Sequence, residues 1–108
     1  MNRRDYALFA PAHIGRLALS NRLVRSATWD PCILSRRRMT AEVLNLYRRL
    51  ALGGVGLIIT GGLPVAPANL LDEPHAGYAD VAIEGLAELA KIVHLTRPDC
   101  KIVAQLEC

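Results

Sequence analysis

The apolar positions of this chain change period several times, and each change marks an element. Ile14 and Leu17-Ala18-Leu19 flank Gly15-Arg16, and a Gly-X pair between two short apolar stretches predicts a tight two-residue hairpin. After Ser20-Asn21 the run Arg22-Leu23-Val24-Arg25-Ser26-Ala27-Thr28 has strand character and then breaks into Pro31 and a basic stretch. A first main strand is therefore expected at about 22–27. Thr40 is a plausible helix N-cap, with Glu42 in the first turn, where the helix dipole favours a negative charge. Val43, Leu46, Tyr47, Leu50 and Ala51 follow at the spacing of one buried helical face, while Asn45, Arg48 and Arg49 point elsewhere. Gly53-Gly54 ends this helix.

Residues 55–60, Val-Gly-Leu-Ile-Ile-Thr, form a continuous apolar and β-branched run of the kind found in parallel strands covered on both faces. Such a strand is not expected at a sheet edge. Gly61-Gly62 closes it, and a proline- and alanine-rich loop is expected over 63–77. Asp80 is a candidate N-cap for a second helix, in which Ile83, Leu86, Ala87, Ala90 and Val93 repeat at helical spacing before Pro98 stops it. Lys91, His94 and Arg97 favour its C-terminal end electrostatically. Residues 101–106 read as a third strand. The order is hairpin and then β-α-β-α-β, which implies parallel strands joined by right-handed crossovers.

Composition narrows the setting. With 108 residues, 52% of them hydrophobic and 21% charged, the chain is at most one globular domain, expected to span 1–108, and a disordered class is excluded. Its apolar runs fall well short of the ~20 residues of a membrane helix, and the N-terminus lacks the apolar core of a signal peptide. A cytoplasmic protein without a membrane partner is expected. Cys32, Cys100 and Cys108 are odd in number, with no CxxC and no paired Cys/His spacing, so neither a disulfide framework nor a metal site is expected and all three read as free thiols. The net charge of +3 is partly local, in Arg36-Arg37-Arg38. One Trp, three Tyr and one Phe are too few to interleave such a patch, so a solvated loop is favoured over a nucleic-acid surface.

Parallel strands alternating with helices fit either a doubly wound sheet or part of a (β/α)8 barrel. The loop after Thr28 contains no glycine, so the phosphate-cradling GxGxxG of a dinucleotide fold is absent, and no P-loop is present. Gly53, Gly54 and Gly56 precede a strand, where they serve a helix stop and close packing. A barrel of roughly 250 residues would need more than twice this chain. Its third strand would then present an unpaired edge.

The segments Leu8-Phe9-Ala10-Pro11, Ile14-Gly15-Arg16-Leu17, Asn21-Arg22-Leu23-Val24-Arg25-Ser26-Ala27-Thr28, Gly53-Gly54-Val55-Gly56-Leu57-Ile58-Ile59-Thr60-Gly61 and Ala104-Gln105-Leu106 occur in the order and spacing of a known family. Together they resemble the N-terminal part of the old yellow enzymes, the NADH:flavin oxidoreductases. The resemblance implies an α/β fold, the N-terminal portion of a (β/α)8 TIM barrel, with a hairpin over 8–20 and barrel units over 21–108. It implies FMN at the C-terminal ends of the strands and NADH or NADPH as reductant, with hydride passing through the flavin to an activated alkene or related small-molecule acceptor.

Carried over by position, the resemblance places Ser26, Ala27 and Thr28 under the isoalloxazine through backbone groups. Gly62 stands where a small residue lets the ring approach, and Gln105 hydrogen-bonds the pyrimidine edge. A side-chain amide offers both a donor and an acceptor, which suits that edge. Trp29 occupies a position where the family often has a small polar or thiol residue. After the glutamine the family continues with a histidine and a Gly-Arg pair, where this chain has Glu107-Cys108. The substrate-activating pair, the proton-donating tyrosine and the phosphate-gripping loops would lie beyond Cys108, so no catalytic residue is assigned. The isolated chain is expected to be silent and to bind FMN weakly or not at all.

Two other readings compete. One is a truncated, non-catalytic fragment acting by association through open strand edges, either with itself or with a C-terminal companion chain. The other is a complete small doubly wound domain, which the missing glycine loop disfavours. Arg25, a charge within an apolar strand, is expected to pair with a carboxylate, with an anion near the flavin as the alternative. His13, His75 and His94 are scattered and read as structural or solvent-exposed. Trp29 and Tyr78 read as packing or rim residues.

Overall fold

The structure, a computed structural model, describes residues 5–28, 40–64 and 78–107. A short 3-10 turn, Ala7–Phe9, leads into an antiparallel hairpin of β1 (Ala12–Ile14) and β2 (Leu17–Leu19). Ile14 faces Leu17 across the expected two-residue turn, and Gly15 takes the left-handed φ of 56° that a side chain would resist. The Arg22 amide donates to the Leu8 carbonyl at 2.9 Å, so the exit of the hairpin is tied to the turn that precedes it.

Three parallel strands follow in the order β3 (Val24–Arg25), β4 (Leu57–Ile59), β6 (Lys101–Val103), with α1 (Ala41–Leu52) and α2 (Tyr78–Thr96) as the connecting helices. The β-α-β-α-β order is therefore present, and β4 is central as its apolar run requires. All three strands are shorter than expected. The first is confined to two residues, so Ser26, Ala27 and Thr28 lie beyond its end, outside regular secondary structure.

Asn21 explains how the strands start in register. Its side-chain Nδ2 donates to the Gly54 carbonyl at 2.7 Å, and its Oδ1 accepts from the Leu23 amide at 3.0 Å. The Gly56 amide then donates to the Leu23 carbonyl at 3.1 Å, and the Lys101 amide donates to the Gly56 carbonyl at 3.0 Å. One polar side chain thus joins the entrances of β3 and β4, and backbone bonds carry the alignment to β6.

Thr40 caps α1 as expected: its Oγ1 accepts from the Val43 amide at 3.3 Å, satisfying an otherwise orphaned donor. The buried face of α1 is Val43, Tyr47 and Ala51 at i, i+4 and i+8, with Leu50 partly buried, whereas Leu46 is exposed and leaves the expected core face. Gly54, with φ 95°, makes the left-handed turn beyond the helix. Arg97 supports this end by donating from Nη2 to the Leu52 carbonyl at 3.3 Å.

Among the described side chains of α2, from residue 84 on, the buried positions are Gly85, Leu89 and Val93. Leu86 and Ala90 are only partly buried, Ala87 is exposed, and the side chain of Ile83 lies outside the described part. The helix starts at Tyr78, so Asp80 falls within it and is not its N-cap. Both helices pack on one face of the sheet, where Ile58, Cys100, Tyr47, Leu89 and Val93 form the centre of the core, with Ile102 against it. On the opposite face Val24 and Val103 are 45% and 44% exposed.

The expected loop from Leu63 and the expected strand 101–106 both need correction. Leu63–Pro64 forms β5, which pairs in parallel with β7, Leu106–Glu107. Between the pairs Ile59↔Val103 and Leu63↔Leu106, three residues (Thr60, Gly61, Gly62) face two (Ala104, Gln105). This is a one-residue bulge, the device that bends a strand and re-aims side chains near sheet ends. Gln105 therefore sits in the interruption of the strand, outside both ladders.

Candidate functional site

The C-terminal ends of β3, β4 and β6 lie side by side in the parallel sheet, and the residues singled out from the sequence follow each of them. After β3, Ser26 and Thr28 are exposed and Ala27 is half-buried, with the Thr28 hydroxyl donating to the Ser26 carbonyl at 3.2 Å. After β4 come buried Gly61 and half-buried Gly62. After β6 comes Gln105, whose side chain is exposed. The fold thus gathers all five assigned residues, Ser26, Ala27, Thr28, Gly62 and Gln105, at one edge.

Their backbone is held from behind. The Thr60 amide donates to the Val103 carbonyl at 2.9 Å, and the Thr60 hydroxyl accepts from the Gln105 amide at 3.0 Å. The Gln105 carbonyl accepts from the Leu63 amide at 2.8 Å. Both backbone groups of Gln105 are thus committed, while its side chain is exposed. Buried Tyr47 accepts from the Gly61 amide through its hydroxyl at 3.2 Å.

Arg25, the last residue of β3, sits against Tyr47. Among the described residues it pairs with no carboxylate; its guanidinium carbon lies 5.8 Å from the centroid of the Tyr47 ring, within cation–π range, and its Nη1 is buried without a hydrogen-bond partner. It shares the helix-facing side of the sheet with Ile58 and Ile102, its neighbours in register.

Sequence reasoning missed Tyr47 and Thr60 as site-supporting residues. Tyr47 was legible only as a core position, and Thr60 only as the polar last residue of an apolar run; their hydroxyls matter because the bulge brings amides within reach.

Among the described residues, the remaining titratable groups add no second centre. His13 and His94 are exposed as expected, while His75, Trp29, Cys32 and Cys108 lie outside the described residues. Cys100 is a free, buried thiol that burial pushes above its ordinary range, with Asp99 adding to the effect and Arg97 opposing it. Its Sγ lies 3.7 Å from the Lys101 carbonyl. Among the described residues no cluster of His, Cys, Asp and Glu could hold a metal ion, and no helix is long and apolar enough to cross a membrane.

This edge suits an isoalloxazine ring in its donor set. It presents chain outside the strands at Ser26–Thr28, a glycine at 62 and an exposed side-chain amide at Gln105 that can both donate and accept. Its position outside the carboxyl ends of parallel strands is where α/β folds bind ligands.

No family model matches the chain. Bilirubin reductase of Mediterraneibacter gnavus is 31% identical to it over 99 residues, which cover 92% of this chain and 15% of the reductase. Among solved structures, the old yellow enzyme from Trypanosoma cruzi superposes with a TM-score of 0.68 at 27% identity, covering 93% of this chain and 26% of that enzyme. Morphinone reductase in complex with tetrahydroNAD shares the fold at a TM-score of 0.70 and 20% identity, over 94% of this chain and 27% of its own. The chain thus spans 15% to 27% of the length of these three proteins. Over nearly all of its residues, the chain is similar in fold to part of the old yellow enzymes, a family of oxidoreductases.

Proposed function

We propose that this chain is the N-terminal portion of a (β/α)8 barrel that binds FMN and acts as an NAD(P)H-dependent oxidoreductase in the cytoplasm. The observation that carries the reading is the convergence of Ser26–Thr28, Gly62 and Gln105 on the C-terminal edge of a parallel sheet, in a chain similar in fold to this family. Bound FMN would supply the hydride chemistry, accepting from NADH or NADPH and delivering to an activated alkene or related small-molecule acceptor. The chain's own part is to bind and orient. Backbone groups of Ser26–Thr28 support the ring, Gly62 permits its close approach, and the Gln105 amide, fixed by its two backbone bonds, reads the pyrimidine edge.

These contacts grip one side of the ring, so the isolated chain is catalytically silent and binds FMN weakly. A titration of the 108-residue chain with FMN, followed by flavin fluorescence and by amide chemical shifts, tests this. Shallow, non-saturating binding whose shifts fall on residues 26–28, 62 and 105 supports the reading. Saturable micromolar binding by a monodisperse species would show that the chain builds a whole site alone, and shifts that fall elsewhere would remove the site assignment.

A second reading is favoured by the sheet edge itself. Val103 and Leu106, in and just beyond β6, are 44% and 64% exposed, and an open apolar strand invites pairing. On this reading the chain acts by association, with a second copy or with a C-terminal companion that completes the barrel.

A further inference from the structure

The three strand ends assigned to the flavin are joined to one another on their helix-facing side by two buried side chains, Tyr47 through its ring and hydroxyl and Thr60 through its hydroxyl. We infer that Tyr47 and Thr60 are positioning residues for the flavin-facing edge, fixing the segments at 26–28, 61–62 and 105 relative to each other. The inference rests on the flavin reading above and deepens it.

Tyr47 projects from the middle of α1 and is 1% exposed. Its ring lies under the guanidinium of Arg25, the last residue of β3 before Ser26, and its hydroxyl accepts from the Gly61 amide. One side chain therefore touches the ends of two strands. Thr60 is 2% exposed and continues the chain of contacts, since its hydroxyl accepts from the Gln105 amide while its own amide donates to Val103. The series Arg25, Tyr47, Gly61, Thr60, Gln105 crosses the sheet from β3 to β6 at the level of the bulge.

The location matters because Gly61-Gly62 is the most permissive backbone at this edge. A bulge also lacks the ladder bonds that would otherwise hold it. Without Tyr47 the Gly61 amide would be a buried donor with no acceptor, and without Thr60 the Gln105 amide would lose its partner. Neither hydroxyl is needed to complete the hydrophobic core, in which the Tyr47 ring serves through its apolar face. The hydroxyls therefore serve the edge, and the ring serves the core.

Tyr47→Phe keeps the ring and removes only the acceptor. Amide hydrogen exchange on the 108-residue chain is expected to accelerate about tenfold at Gly61, the effect of losing one buried hydrogen bond, with the α1 amides unchanged. Thr60→Val is expected to do the same at Gln105, and Thr60→Ser, which restores a hydroxyl, to recover the slow rate. Titrated with FMN, both Tyr47→Phe and Thr60→Val should show several-fold smaller amide shifts at Gly62 and Gln105 than the unmodified chain.

Unchanged exchange at both amides would overturn the inference, and so would faster exchange with undiminished FMN shifts, because the ties would then be structural only. If FMN shifts none of the five assigned residues in the unmodified chain while exchange responds as expected, the flavin reading fails and the two hydroxyls still stand as what sets the edge.

Discussion

A Cβ placed on Gly56 would lie 2.7 Å from the Asn21 Oδ1 and 2.8 Å from its carbonyl oxygen, closer than carbon and oxygen tolerate. Gly56→Ala must therefore displace the side chain that ties Gly54 to Leu23. We expect a loss of about 2 kcal/mol, the cost of overpacking plus disturbed buried hydrogen bonds, read as a lower urea midpoint. Combined with Asn21→Ala the two losses should add to less than their sum, since they break one contact. At Cys100 the raised thiol pKa works with pH. The thiolate is favoured by the unfolded chain, so the contribution to stability is intact below the ordinary thiol value of 9.0 and is lost as pH rises from there through the folded value. Urea midpoints measured from pH 7 to above pH 10 should fall more steeply in the unmodified chain than in Cys100→Ala.

At the scale of elements, the hairpin, the two helices and the three parallel strands were legible because each has a clear period and clear punctuation. Gly15-Arg16, Thr40 and Gly53-Gly54 all do what their chemistry suggests. What was not legible was which side of α2 faces inward. Alanines at 82, 87 and 90 widen its apolar stripe, so the stripe alone does not single out Leu89, and the observed face is turned by about one residue from the expected one. The consequence is measurable. Leu89→Ala should cost about 2–5 kcal/mol, as buried leucine truncations do, whereas Leu46→Ala, on the exposed side of α1, should cost under about 1 kcal/mol. Thermal or urea unfolding of the two variants compares them directly. The pairing of Leu63–Pro64 with Leu106–Glu107 was equally hidden, because two-residue strands carry no period to detect and Pro64 argues against a strand.

For the whole molecule, the helices cover one side of the sheet while Val24, Val103 and Leu106 remain accessible among the described residues. Placing a charge there should oppose pairing without touching the core. Leu106→Lys is expected to lower self-association of the chain at high concentration, measured by sedimentation velocity, with its far-ultraviolet circular dichroism unchanged. An association constant unaffected by this substitution would place the contact elsewhere. The placement of Ser26–Thr28, Gly62 and Gln105 just after parallel strands was legible in the sequence. The supports behind them were not, because a hydroxyl's partner depends on strand offset, which no local pattern carries.

That offset makes length, as well as residue type, part of what the strand ends specify. Because side chains alternate along a strand, removing a single residue between Ile59 and Leu63 would let the two ladders run on without interruption and would turn everything after the deletion to the other side of the sheet. Any residue type can then be read in its proper place and still face the wrong way. Relatives that differ here by one insertion or deletion would present a different surface at this edge even with every neighbouring residue retained, so an alignment that spreads a gap freely across Thr60-Gly61-Gly62 discards the information that aims Leu63 and Pro64.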